Sequence, residues 1–203
     1  RPDGLLTHRI ARVNDDGTMK RAPELREFAE HLCLPVAHSL MGKGALPDDH
    51  PLILGMTGFW GTAFNNSAAM EADVMMAIGT RLSEADCSSW YFGETFDIPP
   101  TKLVHIDINQ EEIGRNYKTE IGAVCDAKMA IDAILAAAKK KYPAGVKRPQ
   151  IVKAIADAKT AYLASIADAQ KSNQWPMRPE RILADLREAL PRDGFVVADV
   201  GWN

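Results

Sequence analysis

Cysteine is scarce and scattered in this chain: Cys33, Cys87 and Cys125 are odd in number and far apart. They form neither a CxxC metal site nor a disulfide framework, and a reducing cytoplasm is the simplest compartment. A basic surplus is also missing, since 24 lysines and arginines face 27 acidic residues for a formal charge of -3. Nothing in that balance drives binding to a nucleic-acid backbone or an anionic membrane. Apolar runs such as Val74 to Ile78 fall far short of the roughly 20 residues that a membrane-spanning helix needs. No GxGxxG follows a strand and opens a helix, which argues against a dehydrogenase, and no spacing among the five histidines resembles a zinc site. The chain opens on Arg1-Pro2-Asp3 without an apolar signal region. What is present is ordinary globular material: 203 residues, 46% hydrophobic and 25% charged, enough for one well-packed domain plus additional structure.

The hydrophobic pattern alternates between helix and strand. Leu25, Phe28, Ala29 and Leu32 lie three and four apart, the stripe of an amphipathic helix over Ala22–Leu34, with Pro23 in its first turn. Pro35–Leu40 predicts a short buried strand running into the glycine-rich loop Met41-Gly42-Lys43-Gly44. Thr62–Ala72 predicts a second helix, and Val74–Ile78 a buried strand that ends in the turn Gly79-Thr80-Arg81. Lys102–Ile108 and Ile121–Ala127 predict two more strands, and Ala127–Tyr142 an alanine-rich helix with lysines in its last turn. Such alternation implies an α/β fold: a Rossmann-like parallel sheet with helices on both faces, whose ligands bind beyond the carboxyl ends of the strands. After Tyr142 the residues Pro143, Gly145 and Pro149 break the pattern. We expect a nucleotide-binding-fold domain over 1–142, a linker with a long helix over 143–177, and a further domain opening at 178–203. Within that last stretch Glu180–Leu190 predicts a helix and Phe195–Val200 a strand. No helix follows to cover this strand, so the end at Asn203 is expected to be a truncation.

Three segments carry a resemblance: LPVAHSLMGKGALPDDHPLILGMTGFWGT at Leu34–Thr62, EADVMMAIGTRLSE at Glu71–Glu84, and KLVHIDINQEEIGRN at Lys102–Asn116. Over about Ala22–Lys140 the chain resembles the central domain of the acetolactate synthase family of thiamine-diphosphate enzymes. That family includes glyoxylate carboligase, sulfoacetaldehyde acetyltransferase and related 2-oxoacid decarboxylases. Arg178–Asn203 is similar to the opening of the family's C-terminal domain. The resemblance implies a parent enzyme, a homo-oligomer, that cleaves a 2-oxoacid with thiamine diphosphate and magnesium, both held outside this fragment. The fragment itself would then be inactive alone, a scaffold and a shelf for FAD or ADP, with no catalytic residue of its own. On this shelf Ser39, Leu40 and Met41 would lie along a flavin, with Gly58 and Trp60 near its middle. Gly79, Thr80 and Arg81 would border the ribityl and diphosphate region, and Asp107, Ile108, Glu112 and Asp126 would approach the adenosine end.

The residues themselves support part of this set. Glycines at strand ends let backbone N–H groups approach phosphates, and Arg81 offers a charge-assisted fork. Asp107 can accept ribose hydroxyls. Alternatives stay open: glycines after strands also mark turns, Arg81 and Asp107 can pair with neighbours, Trp60 can be a packing aromatic, and His38 and His105 fit core or loop histidines. The chain also departs from the family's pattern. Where the family opens this domain with an apolar strand and a glycine triplet, this sequence has RIARVNDDGTMKRAPEL, with Asp15 and Asp16 in a place where carboxylates would repel a diphosphate. Two other functions therefore stand beside the first: a stand-alone nucleotide-binding module, and a structural domain for oligomer assembly without a nucleotide.

Overall fold

The computed structural model describes residues 23–191, together with 11–13, 19–21, 194, 196 and 197. The strand expected over Phe195–Val200 falls mostly outside the described residues, and so do Asp15 and Asp16. The chain forms two compact units, Arg1–Ile155 and Ala156–Asn203.

In the first unit the elements run β1 (Ala11–Val13), β2 (Met19–Arg21), α1 (Pro23–Leu32), β3 (Val36–His38), β4 (Ile53–Met56), α2 (Ala63–Met70), β5 (Val74–Ile78), β6 (Lys102–Asp107), β7 (Ile121–Val124) and α3 (Ala127–Lys141). Helix α4 (Pro149–Gln170) begins here and crosses into the second unit. β1 and β2 form an antiparallel hairpin. The rest is parallel: β3 pairs with β4, and β5, β6 and β7 form a three-stranded sheet with β6 in the middle. Helices on both sides of parallel strands are what the alternating sequence implied.

Period-two alternation along β5 shows how the layers form. Met75 and Ala77 face a core of Leu82, Cys87, Phe96, Leu103 and Tyr117, which Ala69 of α2 joins. Met76 and Ile78 point to the opposite face, against Phe28 of α1 and Ile131 and Leu135 of α3. A third cluster joins α1, through Ala29 and Leu25, to Val36 of β3 and Ile53 of β4. The helix ends follow from side chains that satisfy orphan amides. Thr62 Oγ1 accepts the Asn65 N–H at 3.2 Å to open α2, and Asp126 Oδ1 accepts the Met129 N–H at 3.0 Å to open α3. Lys139, Lys140 and Lys141 occupy the last turn of α3, where positive charge suits the helix dipole.

Some expectations shift. The strand expected over Pro35–Leu40 is confined to Val36–His38, because the Gly42 N–H turns back onto the Ser39 carbonyl at 3.1 Å. β5 has the predicted bounds but is not buried throughout: Ala77 is 5% exposed and Val74 57%, since β5 is an edge strand of its sheet. β4 was not anticipated, being four residues long with a glycine at φ +121° in its middle, too short for a pattern.

In the second unit, α5 (Pro179–Ala189) follows a proline at its first turn. Its apolar residues Ile182, Leu183 and Leu186 are exposed. Among the described residues no helix is long and apolar enough to cross a membrane.

Candidate functional site

Because β3 to β7 run parallel within their sheets, the segments that leave their carboxyl ends are the loops the sequence singled out. Ser39–Met41 leaves β3, Gly58–Trp60 follows β4, Gly79–Arg81 follows β5, Ile108–Glu112 follows β6, and Asp126 follows β7. Cross-loop hydrogen bonds tie several of them together. Leu40 N–H donates to Asp86 Oδ1 at 3.4 Å and Phe59 N–H to the Ala85 carbonyl at 2.8 Å, so the loops after β3 and β4 both lean on the segment after Arg81. Asn116 Nδ2 donates to the carbonyls of Arg81 and Leu82, each at 3.1 Å. That bond joins the loops after β5 and β6.

His105 lies beneath this rim, 1% exposed. Its Nδ1 accepts from Gly114 N–H at 3.4 Å, so Nε2 carries the proton and donates to the Thr80 carbonyl at 2.9 Å. The imidazole is a latch between two loops, a satisfied core histidine, one of the two readings, core or loop, that the sequence left open. His105→Ala leaves the half-buried Thr80 carbonyl without its donor and is expected to cost about 1–2 kcal/mol, read as a lowered urea midpoint. His38 is different: its Nδ1 lies 2.9 Å from the Ser39 carbonyl, and its buried Nε2 has no partner among the described residues. Cys87, fully buried under the rim, is no nucleophile, because burial pushes its thiol up to about 12.

The predicted site residues divide by what already holds them. Gly79 has φ +62°, and a Cβ placed there would meet nothing within 4 Å; the backbone conformation favours glycine, and the space beside it is open. Arg81 is exposed, and its guanidinium pairs with no carboxylate among the described residues. Thr80 Oγ1 accepts the Leu82 N–H at 3.2 Å. Leu40, Met41 and Trp60 are exposed apolar surface on the same rim, and Trp60 stacks edge-on against Phe59 with ring centroids 4.8 Å apart. Ser39 Oγ accepts the Gly42 N–H at 3.1 Å. Gly58 is held against its neighbours: Asn66 accepts its N–H at 2.9 Å and donates to its carbonyl at 3.0 Å. The acidic residues have structural partners. Asp107 Oδ1 accepts the Asn109 N–H at 2.8 Å, Glu112 pairs with Arg115 at 3.3 Å, and Asp126 caps α3; Ile108 is exposed beside them. Asn66 and Asn116, the amide clamps of this rim, were missed by the sequence reading because isolated asparagines carry no spacing signal.

This donor set fits a nucleotide in part. An open glycine turn, an unpaired guanidinium and exposed apolar surface suit a diphosphate flanked by a planar ring, and Asp107 Oδ2 is left for a hydroxyl. Among the described residues no group of three or more His, Cys, Asp or Glu is placed to hold a metal ion.

Comparison with known proteins agrees with this architecture. Residues 12–134 match the family described as thiamine pyrophosphate enzyme, central domain. A probable acetolactate synthase large subunit of Methanocaldococcus jannaschii is 36% identical over 194 residues, covering 89% of this chain and 30% of that protein. Glyoxylate carboligase of Escherichia coli O157:H7 is 32% identical over 181 residues, covering 88% of this chain and 29% of that protein. The acetolactate synthase large subunit of Parasynechococcus marenigrum is 32% identical, with 88% and 27% covered. The chain thus spans less than a third of the length of these relatives.

Proposed function

The chain belongs to the thiamine pyrophosphate enzyme central-domain family, and from that premise we propose that it is the scaffold and nucleotide shelf, for FAD or ADP, of a thiamine-diphosphate-dependent 2-oxoacid decarboxylase or carboligase. Residues 1–142 would be the shelf domain, 143–177 the linker, and 178–203 the start of the domain that follows. In the whole enzyme thiamine diphosphate supplies the carbanion chemistry, on groups contributed by other parts of the protein. This chain's residues bind and orient, and carry no step of the reaction.

The observation that carries the shelf reading is the Gly79–Arg81 turn: a glycine with open space at its Cβ position, followed two residues later by an exposed guanidinium without a carboxylate partner among the described residues. A turn with only a structural role needs the positive φ but not the free cation. His38 Nε2, buried at the start of the loop after β3, adds a ring nitrogen without a partner among the described residues. Equilibrium dialysis against FAD tests the reading through Arg81→Ala. Loss of a charge-assisted contact to phosphate is expected to weaken binding roughly tenfold or more, with the melting temperature unchanged because the Arg81 side chain bonds to no group among the described residues. Equal binding by the variant would count against Arg81 as a phosphate contact.

The structural, oligomer-building alternative is favoured by one specific observation. The stretch before α1 has Arg12, Asp15, Asp16, Lys20 and Arg21 instead of the glycine triplet that the resemblance implies at a diphosphate.

A further inference from the structure

Helix α1 closes in a paired turn: Leu34 N–H donates to the Ala29 carbonyl at 2.9 Å and Cys33 N–H to the Glu30 carbonyl at 3.3 Å. Two bonds in this pattern make a cap whose left-handed position is usually glycine. Here that position is Cys33, at φ +50°, a conformation disfavoured for any residue that carries a Cβ. The carbonyls left over at this helix end are taken by a segment far along the chain. Val146 N–H donates to the His31 carbonyl at 2.7 Å, and Arg148 Nη1 donates to the carbonyls of Leu32 and Cys33 at 2.9 and 3.1 Å.

Gly145 allows this approach: it has φ +69°, and a Cβ there would lie 2.8 Å from the His31 carbonyl oxygen. Beyond Arg148, Val152 packs on the cluster of Ala29, Cys33, Leu46, Leu52 and Ile53, and Ile155 is buried. Cys33 Sγ itself lies 4.0 Å from the Arg148 carbonyl oxygen. The stretch 145–155, at the end of the first unit, is therefore fastened over the corner where α1 turns into β3.

The closed arrangement carries two costs. Cys33 is held in a left-handed turn without being glycine, and the buried Nε2 of His31, on the residue that Gly145 and Val146 cover, has no partner among the described residues. Against these stand the three hydrogen bonds above and the packing of Val152 and Ile155. A short segment at the edge of a unit, strained where it closes, opens at a free energy below that of global unfolding.

We propose that residues 145–155 form a strap that opens and closes on the α1–β3 corner as one unit, with Arg148 as its clasp, and that opening uncovers the Cys33 thiol while the rest of the domain stays folded. Opening also adds these residues to the free chain that leaves the domain, so the clasp sets the working length of the linker. None of its groups belongs to the carboxyl-end rim, and the strap stands or falls apart from nucleotide binding.

Labelling of the 203-residue chain with N-ethylmaleimide in increasing urea, read cysteine by cysteine by mass spectrometry, tests the proposal. Cys87, 0% exposed, is the internal reference for global unfolding. Cys33 is expected to label at least roughly tenfold faster than Cys87 below the unfolding transition, with a rate that hardly depends on urea, because a local opening exposes little surface. Arg148→Ala removes the bonds to two carbonyls and is expected to speed Cys33 labelling roughly tenfold or more. Hydrogen exchange of the Val146 amide should rise by the same factor, since both report one opening. Gly145→Ala, which blocks closure from the other side, should act in the same direction. Cys33 labelling in step with Cys87, with the same steep urea dependence, would overturn the strap, because the segment would then leave only when the whole domain unfolds. Unchanged Cys33 labelling in Arg148→Ala, or a Val146 amide that does not follow it, would overturn the clasp.

Discussion

Replacing Gly58 with alanine is expected to remove about 3 kcal/mol or more of stability, seen as a fall in melting temperature of roughly 6–12 °C for a domain of this size. Two independent costs add. Gly58 sits at φ +84°, a conformation that L side chains rarely adopt, and a Cβ there would lie 2.2 Å from the Ala85 carbonyl oxygen and 2.3 Å from the Asp86 carbonyl carbon. Those neighbours are backbone, so relief requires the segment after Arg81 to move as a whole. The movement stretches the 2.8 Å bond from Phe59 N–H to Ala85 and the 3.4 Å bond from Leu40 N–H to Asp86. Those bonds draw the loops after β3 and β4 to the rim, so the variant should lose nucleotide affinity along with stability. Arg81→Ala, by contrast, separates the two, with affinity lost and stability kept. A Gly58→Ala protein that melts with the parent would show that these loops do not meet as described.

Phe28→Ala is expected to cost about 3–5 kcal/mol, the range for emptying a buried aromatic site. Phe28 is 4% exposed and packs between α1, Ile131 and Leu135 of α3, and the β5 residues Met76 and Ile78. Neither helix can close the void alone, because α1 is also fixed to β3 and β4 through Ala29 and Leu25. The urea midpoint should fall with an unchanged slope, since the surface exposed on unfolding hardly changes. A loss below about 1 kcal/mol would mean that α1 is free to collapse onto one sheet, and the shared roof over both sheets would be lost from the account.

Much of this fold was legible because its long elements carry strong periods. α1 has four apolar residues on one stripe, and Val74–Ile78 has a continuous apolar run, so both were read with bounds within a residue or two of those observed. β4 escaped because Gly55 and a four-residue length give neither alternation nor a run. The separation of the strands into two sheets was equally invisible, since periodicity reports which residues face a core and says nothing of which strands are bonded. In the candidate site, the residues singled out in the sequence fall in loops at strand ends, because parallel strands deliver their carboxyl-end loops to one side of a sheet. Sequence could not show that Asp126 is engaged as a helix cap, that Glu112 pairs with Arg115, or that Arg81 has no carboxylate partner among the described residues. Those facts depend on where short polar side chains turn after the backbone is set.

The central claim, that the carboxyl-end rim is a nucleotide shelf, is tested most directly by calorimetric titration of the 203-residue chain with FAD, ADP and thiamine diphosphate in separate runs. Saturable heat with FAD or ADP, lost when Arg81 or Asp107 is changed to alanine, and no binding of thiamine diphosphate is the result predicted here. Silence from FAD and ADP alike would contradict it and leave the domain as a structural member of its parent enzyme.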